Sequence, residues 1–226
     1  MHAGTGTLVA HAVVKAAQQT GMPNGVFSNL NSSGTEVGRL LVLHPKVKAV
    51  GFTGSINGGR ALFDLAASRP EPIPVFAEMG SVNPVVFFEH ALTDSKNKWA
   101  EIYANSITLG AGQFCTNPGL IIGIKSEEFS KFAEDLAFKI NNLRGQCMLH
   151  PKLFTHYEHL KNETLTQTKV QHLNSLESDQ NLSSVSGTIA LVDGETFMDN
   201  SLLHREIFGP FSLLVQCEDY TQMEQL

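Results

Sequence analysis

Apolar positions along the chain alternate between helical and strand spacing, with short polar connections between the segments. Helical spacing predicts six helices, at residues 7–20, 36–43, 59–67, 96–109, 127–138 and 151–167. Shorter apolar runs predict strands at residues 25–30, 47–52, 72–78, 82–88, 120–124, 188–192 and 211–216. Strands that alternate with helices in this way are typical of parallel α/β layers.

Local signals mark the expected ends of several elements. Thr7 and Ser126 are the predicted caps of the first and fifth helices, and Pro45 stops the second. A change of structural unit is predicted near residues 78–84. We therefore divide the chain into residues 1–78 and residues 79–226.

The composition narrows the class of protein. Hydrophobic residues make up 42% of the 226 residues and charged residues 17%, which is typical of a soluble globular protein. The net charge is -6 and Lys and Arg form no cluster, which argues against a nucleic-acid partner. No apolar run is long enough to span a membrane, so no membrane partner is expected. Cys115, Cys147 and Cys217 form no paired framework, which predicts a reducing, cytoplasmic location.

The stretch from Gly110 to Gly119 holds a single cysteine, Cys115, between glycines and an Asn-Pro-Gly sequence. The glycines let the backbone bend, and Pro118 prevents a regular element from continuing. Such a turn can present the thiol to a cavity, where its thiolate would add to a carbonyl carbon. The alternative is a buried cysteine that packs as a small hydrophobic residue.

Three other stretches carry candidate chemistry. Phe52-Thr53-Gly54-Ser55 joins a predicted strand to a helix, where main-chain N–H groups suit a pyrophosphate, or where Ser55 simply caps the helix. Glu78 ends an apolar strand: buried, it would have a raised proton affinity and serve as a general base, and otherwise it is an exposed glutamate at a loop. Glu206 and Phe208 precede a Gly-Pro break. His150, His156 and His159 lack the order and the partners of a zinc site, so no metal is expected.

Taken in this order and spacing, the four stretches resemble the motifs of the aldehyde dehydrogenase superfamily, and the resemblance covers essentially the whole chain. Residues 69–79, 83–84 and 109–119 are similar to its α-ketoglutaric semialdehyde (2,5-dioxovalerate) dehydrogenase branch. The resemblance implies an α/β fold in which part of a doubly wound parallel nucleotide-binding sheet (residues 1–78) precedes an α/β catalytic domain (residues 79–226).

The resemblance also implies an activity and its residues. An aldehyde, 2,5-dioxopentanoate in that branch, would be oxidised to the carboxylic acid with NADP or NAD as cofactor. Cys115 would be the nucleophile that forms a thiohemiacetal and then a thioester, and Glu78 would activate the hydrolytic water. The implied cofactor-binding residues are Thr53, Gly54, Ser55, Gly38, Glu206 and Phe208.

Departures from the family pattern predict that the chain is a fragment, truncated at its C-terminal end. The family has an oxyanion-hole asparagine and a ribose-binding lysine upstream of the glycine turn, and residues 1–30 supply neither in a matching context. Asn83 and Asn117 belong to other motifs. The isolated chain is expected to be unstable or inactive, and the full-length protein to be an active homo-oligomer. Two other hypotheses stay open: a cysteine acyl-transfer or hydrolytic enzyme without cofactor, and an incomplete family member with a binding role or none.

Overall fold

The computed structural model describes residues 3–32, 34–93, 98–174 and 184–226. The chain divides into two compact units, Met1–Gly80 and Ser81–Leu226. The helices and strands of the first unit are α1 (Ala3–Gln19), α2 (Glu36–Leu43), β1 (Val50–Gly54), α3 (Ile56–Ala67) and β2 (Val75–Met79).

In the first unit β1 and β2 are parallel neighbours, and α3 connects them. This is the strand–helix–strand arrangement that the alternating pattern predicts. Val42, Ala66 and Ile73 form a small core. The register pairs Thr53 with Glu78, so both residues lie at the carboxyl end of the two strands.

The second unit contains most of the regular structure. Its strands are β3 (Pro84–Phe87), β4 (Leu120–Ile124), β5 (Gln146–Cys147), β6 (Gln171–His172), β7 (Ser184–Val185), β8 (Thr188–Asp193) and β9 (Phe211–Cys217). Its helices are α4 (Glu89–Thr93), α5 (Trp99–Thr108), α6 (Glu127–Asn141), α7 (Pro151–Leu165), α8 (Gly194–Asp199) and α9 (Tyr220–Gln225), with 3₁₀ turns at Leu109–Gly112 and Ser201–His204.

The main sheet of the second unit has the strand order β3-β4-β9-β8-β6. β3, β4, β9 and β8 are parallel, and β6 is antiparallel to β8. β5 and β7 form a separate antiparallel pair. The predicted α/β class with parallel sheets is therefore confirmed.

Both faces of this sheet are covered, which explains why its strands are continuous apolar runs. Along β4, Leu120 and Ile122 pack into one core cluster while Ile121 packs into the other. α5 and α6 cover the second face with residues such as Ile107 and Leu136. Gly123 leaves room for this packing, since a Cβ atom there would collide with the ring of Phe129.

The predicted elements are confirmed most closely where a polar cap or a proline sets an end. Helix 36–43 and strand 120–124 have the predicted bounds, and Ser126 caps α6 by accepting a hydrogen bond from the Phe129 N–H at 3.1 Å. The predicted cap at Thr7 is wrong, because α1 begins at Ala3 and Thr7 lies inside it.

The strand predicted at residues 25–30 is also wrong. Val26, Phe27 and Leu30 are exposed, and no strand of the described ranges pairs with this segment. An apolar run becomes a strand only where a neighbour completes its hydrogen-bond ladder. Helix 59–67 begins earlier, at Ile56, since Ser55 caps it. In the predicted helix 96–109, residues 96 and 97 lie outside the described residues, and α5 spans Trp99–Thr108.

Among the helices described, none combines the length and the apolar character needed to cross a membrane.

Candidate active site

The segment before Cys115 has an unusual backbone. After α5, Gly110, Ala111 and Gly112 all take left-handed conformations, with φ of 56°, 57° and 65°. Glycine adopts this region without the steric penalty that a Cβ atom brings. At Gly112 a Cβ atom would also collide with the backbone of Gly209, so only glycine fits there.

Cys115 lies at the tip of the turn that follows. The Asn117 N–H donates to the Phe114 carbonyl oxygen at 3.1 Å, which makes Cys115 and Thr116 the central residues of the turn. The Cys115 side chain is exposed. Its main-chain N–H meets no acceptor among the described residues. The interpretation as a buried hydrophobic cysteine is therefore wrong for Cys115, whereas Cys217 is buried.

Polar side chains brace this turn from distant parts of the sequence. The Ala111 N–H donates to Gln146 Oε1 at 3.0 Å, and Gln113 Oε1 accepts from the Leu149 N–H at 2.9 Å. Asn83 Nδ2 donates to the Thr116 carbonyl oxygen at 2.7 Å. Sequence reasoning missed Gln146 as a partner of the turn, because nothing in its local context indicates a contact 35 positions away.

Glu206 and Phe208 lie between the second 3₁₀ turn and β9, and both are half-buried. They line a pocket together with residues of the cysteine turn, including Gly112, Phe114 and Asn117. The fold thus brings together the two predicted motifs of this unit, the cysteine motif and the motif of Glu206 and Phe208. The pocket has about 20 Å³ of free space, enough for about one water molecule.

Burial raises the pKa of Glu206, because desolvation penalises the charged carboxylate. A hydrogen bond from the Ser81 main-chain N–H opposes this effect and lowers the pKa. The neighbouring Arg205 is paired with Glu163 at 2.8 Å. The net effect is a raised pKa, so the Glu206 carboxyl group beside the cysteine turn binds a proton more tightly than an exposed glutamate does.

In the first unit, Thr53 and Glu78 are aligned at the carboxyl ends of β1 and β2, the end of a parallel sheet where ligands bind. Both side chains are exposed, and an open groove along the strands is lined by residues including Thr53, Phe76 and Glu78. Glu78 is therefore the exposed glutamate near the end of its strand, where the strand meets its loop, and not the buried carboxylate that we considered. Its exposure gives it free access to water.

The strand-to-helix turn shows the serine cap that was one of the two interpretations offered for it. Ser55 caps α3, since its Oγ accepts a hydrogen bond from the Gly58 N–H at 3.2 Å. At Gly54 a Cβ atom would lie 2.7 Å from the tip of the Phe52 ring, so that ring would have to shift to accommodate it. Gly38 lies inside α2, with nothing within 4 Å of the position of its missing Cβ atom.

These groups fit a dinucleotide in type. The exposed Ser55 hydroxyl at the start of α3 and the exposed Thr53 hydroxyl near the end of β1 are of a type that suits a pyrophosphate, and the Glu206 carboxylate is of a type that suits a ribose hydroxyl.

The histidines are engaged in local structure or lie on the surface. His150 caps α7 by accepting from the Lys152 N–H at 3.1 Å, and His156 and His159 are exposed. Within the described ranges, no three His, Cys, Asp or Glu side chains are grouped so that they could hold a metal ion.

Comparison with known proteins identifies the family. A model of the aldehyde dehydrogenase family matches residues 3–226. The chain is 39% identical over 225 residues to alpha-ketoglutaric semialdehyde dehydrogenase 2 of Azospirillum brasilense, covering 100% of this chain and 43% of that protein. It is also 39% identical over 219 residues to alpha-ketoglutaric semialdehyde dehydrogenase of Acinetobacter baylyi, covering 96% of this chain and 41% of that protein. The chain thus spans less than half the length of these relatives.

Solved structures of similar fold are more distant in sequence. A betaine aldehyde dehydrogenase of Staphylococcus aureus, solved with NAD⁺, has a TM-score of 0.80 at 18% identity, covering 97% of this chain and 45% of its own. An NAD-dependent benzaldehyde dehydrogenase of Corynebacterium glutamicum has a TM-score of 0.77 at 20% identity, covering 93% and 46%. At these identities the likeness concerns the fold.

Proposed function

The chain belongs to the aldehyde dehydrogenase family, and from this premise we propose that it oxidises an aldehyde to the carboxylic acid with NADP or NAD as cofactor. The substrate we propose is 2,5-dioxopentanoate, because two relatives 39% identical to the chain are named alpha-ketoglutaric semialdehyde dehydrogenases. Cys115 and Glu78 are the proposed catalytic residues.

The first step belongs to Cys115. Its sulfur adds as the thiolate to the aldehyde carbon, and the carbonyl oxygen becomes the oxyanion of a thiohemiacetal. The Cys115 main-chain N–H is free to donate to this oxygen, since it has no acceptor among the described residues. Such a donor stabilises charge that develops during the reaction.

A bound nicotinamide would supply the acceptor for the hydride that leaves the thiohemiacetal carbon, which converts the adduct to a thioester. Thr53, Gly54 and Ser55 would hold the pyrophosphate, with Gly38 lining the same site. Glu206 would hold the nicotinamide-side ribose, and Phe208 would pack beside the ring.

Glu78 would complete the cycle. Its carboxylate takes a proton from water, the water oxygen attacks the thioester carbon, and the carbon–sulfur bond breaks. The carboxylic acid leaves, Cys115 is restored as the thiolate, and Glu78 releases its proton to solvent. The exposure of Glu78 supports this role, since a base for water must reach water.

One observation carries the proposal. An exposed thiol lies at the tip of a turn whose backbone is fixed by three left-handed residues, and Glu206 and Phe208 line a pocket with that same turn. We also propose a cytoplasmic location, which the three free cysteines support, and a homo-oligomeric full-length protein.

The test mixes the full-length protein with 2,5-dioxopentanoate and with NAD or NADP, and follows the absorbance of the reduced cofactor. Cys115→Ala should lower turnover at least about 1000-fold, since it removes the nucleophile. Cys147→Ala, at another exposed cysteine, should stay within about twofold of the parent. Glu78→Gln should accumulate a thioester that mass spectrometry detects on Cys115.

Turnover that survives Cys115→Ala would contradict the mechanism. If the full-length protein shows no turnover although Cys115 reacts with alkylating agents, the alternative gains support: a catalytically incomplete family member with a binding role or none.

A further inference from the structure

Two segments of the second unit meet backbone against backbone. Gly112, in the cysteine turn, faces Gly209 and Pro210, and a Cβ atom on Gly112 would collide with both. A Cβ atom on Gly209 would in turn collide with the ring of Tyr157, which is buried. This close approach places the cysteine turn against the segment that carries Glu206 and Phe208.

One side chain joins the two segments. Asn117 Nδ2 donates to the Gly112 carbonyl oxygen at 3.2 Å and to the Gly209 carbonyl oxygen at 2.6 Å. Asn117 is only 8% exposed, so water cannot readily replace it as a donor. A buried carbonyl oxygen that loses its donor carries the cost of its desolvation.

The amide is oriented by these contacts. Both partners are carbonyl oxygens, which only accept hydrogen bonds, so the NH₂ group and not the oxygen must face them. Asn117 Oδ1 is left buried without a hydrogen-bond partner among the described residues. Asn117 also lines the pocket that has room for about one water molecule, and a water there could donate to this oxygen.

We infer that Asn117 is a positioning residue that fixes Cys115 relative to the segment carrying Glu206 and Phe208. Asn117 is two positions from Cys115, and Gly209 is next to Phe208. A single amide therefore sets the register between the proposed nucleophile and two proposed cofactor-binding residues. The inference rests on the proposed function, which assigns roles to Cys115, Glu206 and Phe208. The two hydrogen bonds of Asn117 to Gly112 and Gly209, here called the Asn117 clamp, can be tested without measuring turnover.

The experiment attaches a trifluoroacetonyl group to Cys115 of the 226-residue chain with bromotrifluoroacetone and records its ¹⁹F NMR spectrum. The background carries Cys147→Ser, because Cys147 is exposed and would also react, while Cys217 is buried. If the cysteine turn has a single position in the folded protein, the label gives one resonance.

Two variants change the clamping side chain. Asn117→Ala removes both hydrogen bonds of the amide group, whereas Asn117→Ser keeps one hydroxyl group that can donate.

We expect one resonance in the parent and a second, shifted resonance in Asn117→Ala. The ratio of clamped to unclamped populations should fall by about fivefold or more, as expected when a buried hydrogen bond is lost. Asn117→Ser should lie between the two. Asn105→Ser, at an exposed position of α5, is the matched control and should leave the ratio within about twofold.

A purely structural role would lower the melting temperature of the Asn117 variants without moving the resonance of the folded protein. Folded variants that keep the single parental resonance would therefore overturn the inference. Failure of both variants to fold would overturn it too, since Asn117 would then be needed for the fold itself. Addition of NAD or NADP separates the two proposals. If neither dinucleotide changes the chemical shift of the parental resonance, the result counts against the proposed function and not against the role of Asn117.

Discussion

Cys115 and Cys217 carry the same side chain in opposite environments. Cys217 is the last residue of β9 and has no exposed surface. Burial, and to a smaller extent the negative charge of Asp219, raise the pKa of its thiol to about 11. Cys115 lies exposed at the tip of a turn. The sequence already distinguishes the two sites, because glycines lie beside the exposed Cys115 and an apolar run precedes the buried Cys217.

Glu206 provides a prediction at this scale. Its pKa is raised in the folded protein, so folding favours the protonated carboxyl group. Below the ordinary carboxyl pKa the group is protonated in both the folded and the unfolded protein, so it does not lower the free energy of unfolding. As the pH rises through the raised pKa of the folded protein, ionisation of the half-buried carboxyl group destabilises the fold. We expect Glu206→Gln to raise the melting temperature at pH 7 relative to the parent, and to have less effect at pH 4.

Thermal unfolding of both proteins from pH 4 to pH 8 measures this difference. The exposed Glu134→Gln on α6 serves as the control, because it removes the same charge from the surface of the same unit. A Glu206→Gln protein that is less stable than the parent at pH 7 would show that hydrogen bonding to the carboxylate outweighs desolvation.

At the scale of elements, short polar signals decide where helices begin. Ser55, Ser126 and Asp193 each cap a helix by accepting a hydrogen bond from a main-chain N–H three residues later. These caps satisfy donors that the helix itself leaves unpaired. By contrast, the turn at Leu109–Gly112 requires two glycines and an alanine in left-handed conformations, which no local propensity specifies for Ala111.

The cap of α6 gives a prediction at the element scale. Ser126→Ala should lower the free energy of unfolding by about 1 kcal/mol, since the Phe129 N–H loses its acceptor. Ser126→Asp supplies another acceptor and should stay close to the parent. Urea denaturation followed by circular dichroism measures both, and equal losses in the two variants would contradict the capping explanation.

At the scale of the molecule, the two units differ in how much of their sheets they bury. The main sheet of the second unit has a core cluster on each face. In the first unit the described strands form one parallel pair with a small core, and Phe76 on β2 is 70% exposed. A two-stranded sheet of this kind is marginally stable by itself.

Hydrogen exchange should show this difference. Amides of β4 and β9 are expected to exchange on the order of 100-fold more slowly than those of β1 and β2, because opening the second unit exposes far more apolar surface. Native-state exchange with mass spectrometry resolves these segments. Equal protection in β1 and β4 would mean that the first unit is as stable as the second.

The sequence allowed more of the fold than of the site to be predicted. Strand 120–124 and helix 36–43 were predicted with their observed bounds, because a regular apolar pattern ended at a clear stop signal. The segment at residues 25–30 has a strand-like pattern but no partner in the described structure. Catalytic and cofactor roles for Cys115, Glu78 and Gly38 stay predictions, since they depend on chemistry that a pattern does not contain.

By itself, the sequence determined the α/β class, the caps at Ser55 and Ser126 and the family, because these depend on local spacing and on motifs in register. It also identified the glycine-rich turn that carries Cys115. Only the tertiary structure decided what braces that turn: Gln146, Asn83 and the contact of Asn117 with Gly209 join residues far apart in the chain. Their partners are set by the packing of the whole unit, and the spacing of residues along the sequence does not indicate which distant residues will be in contact.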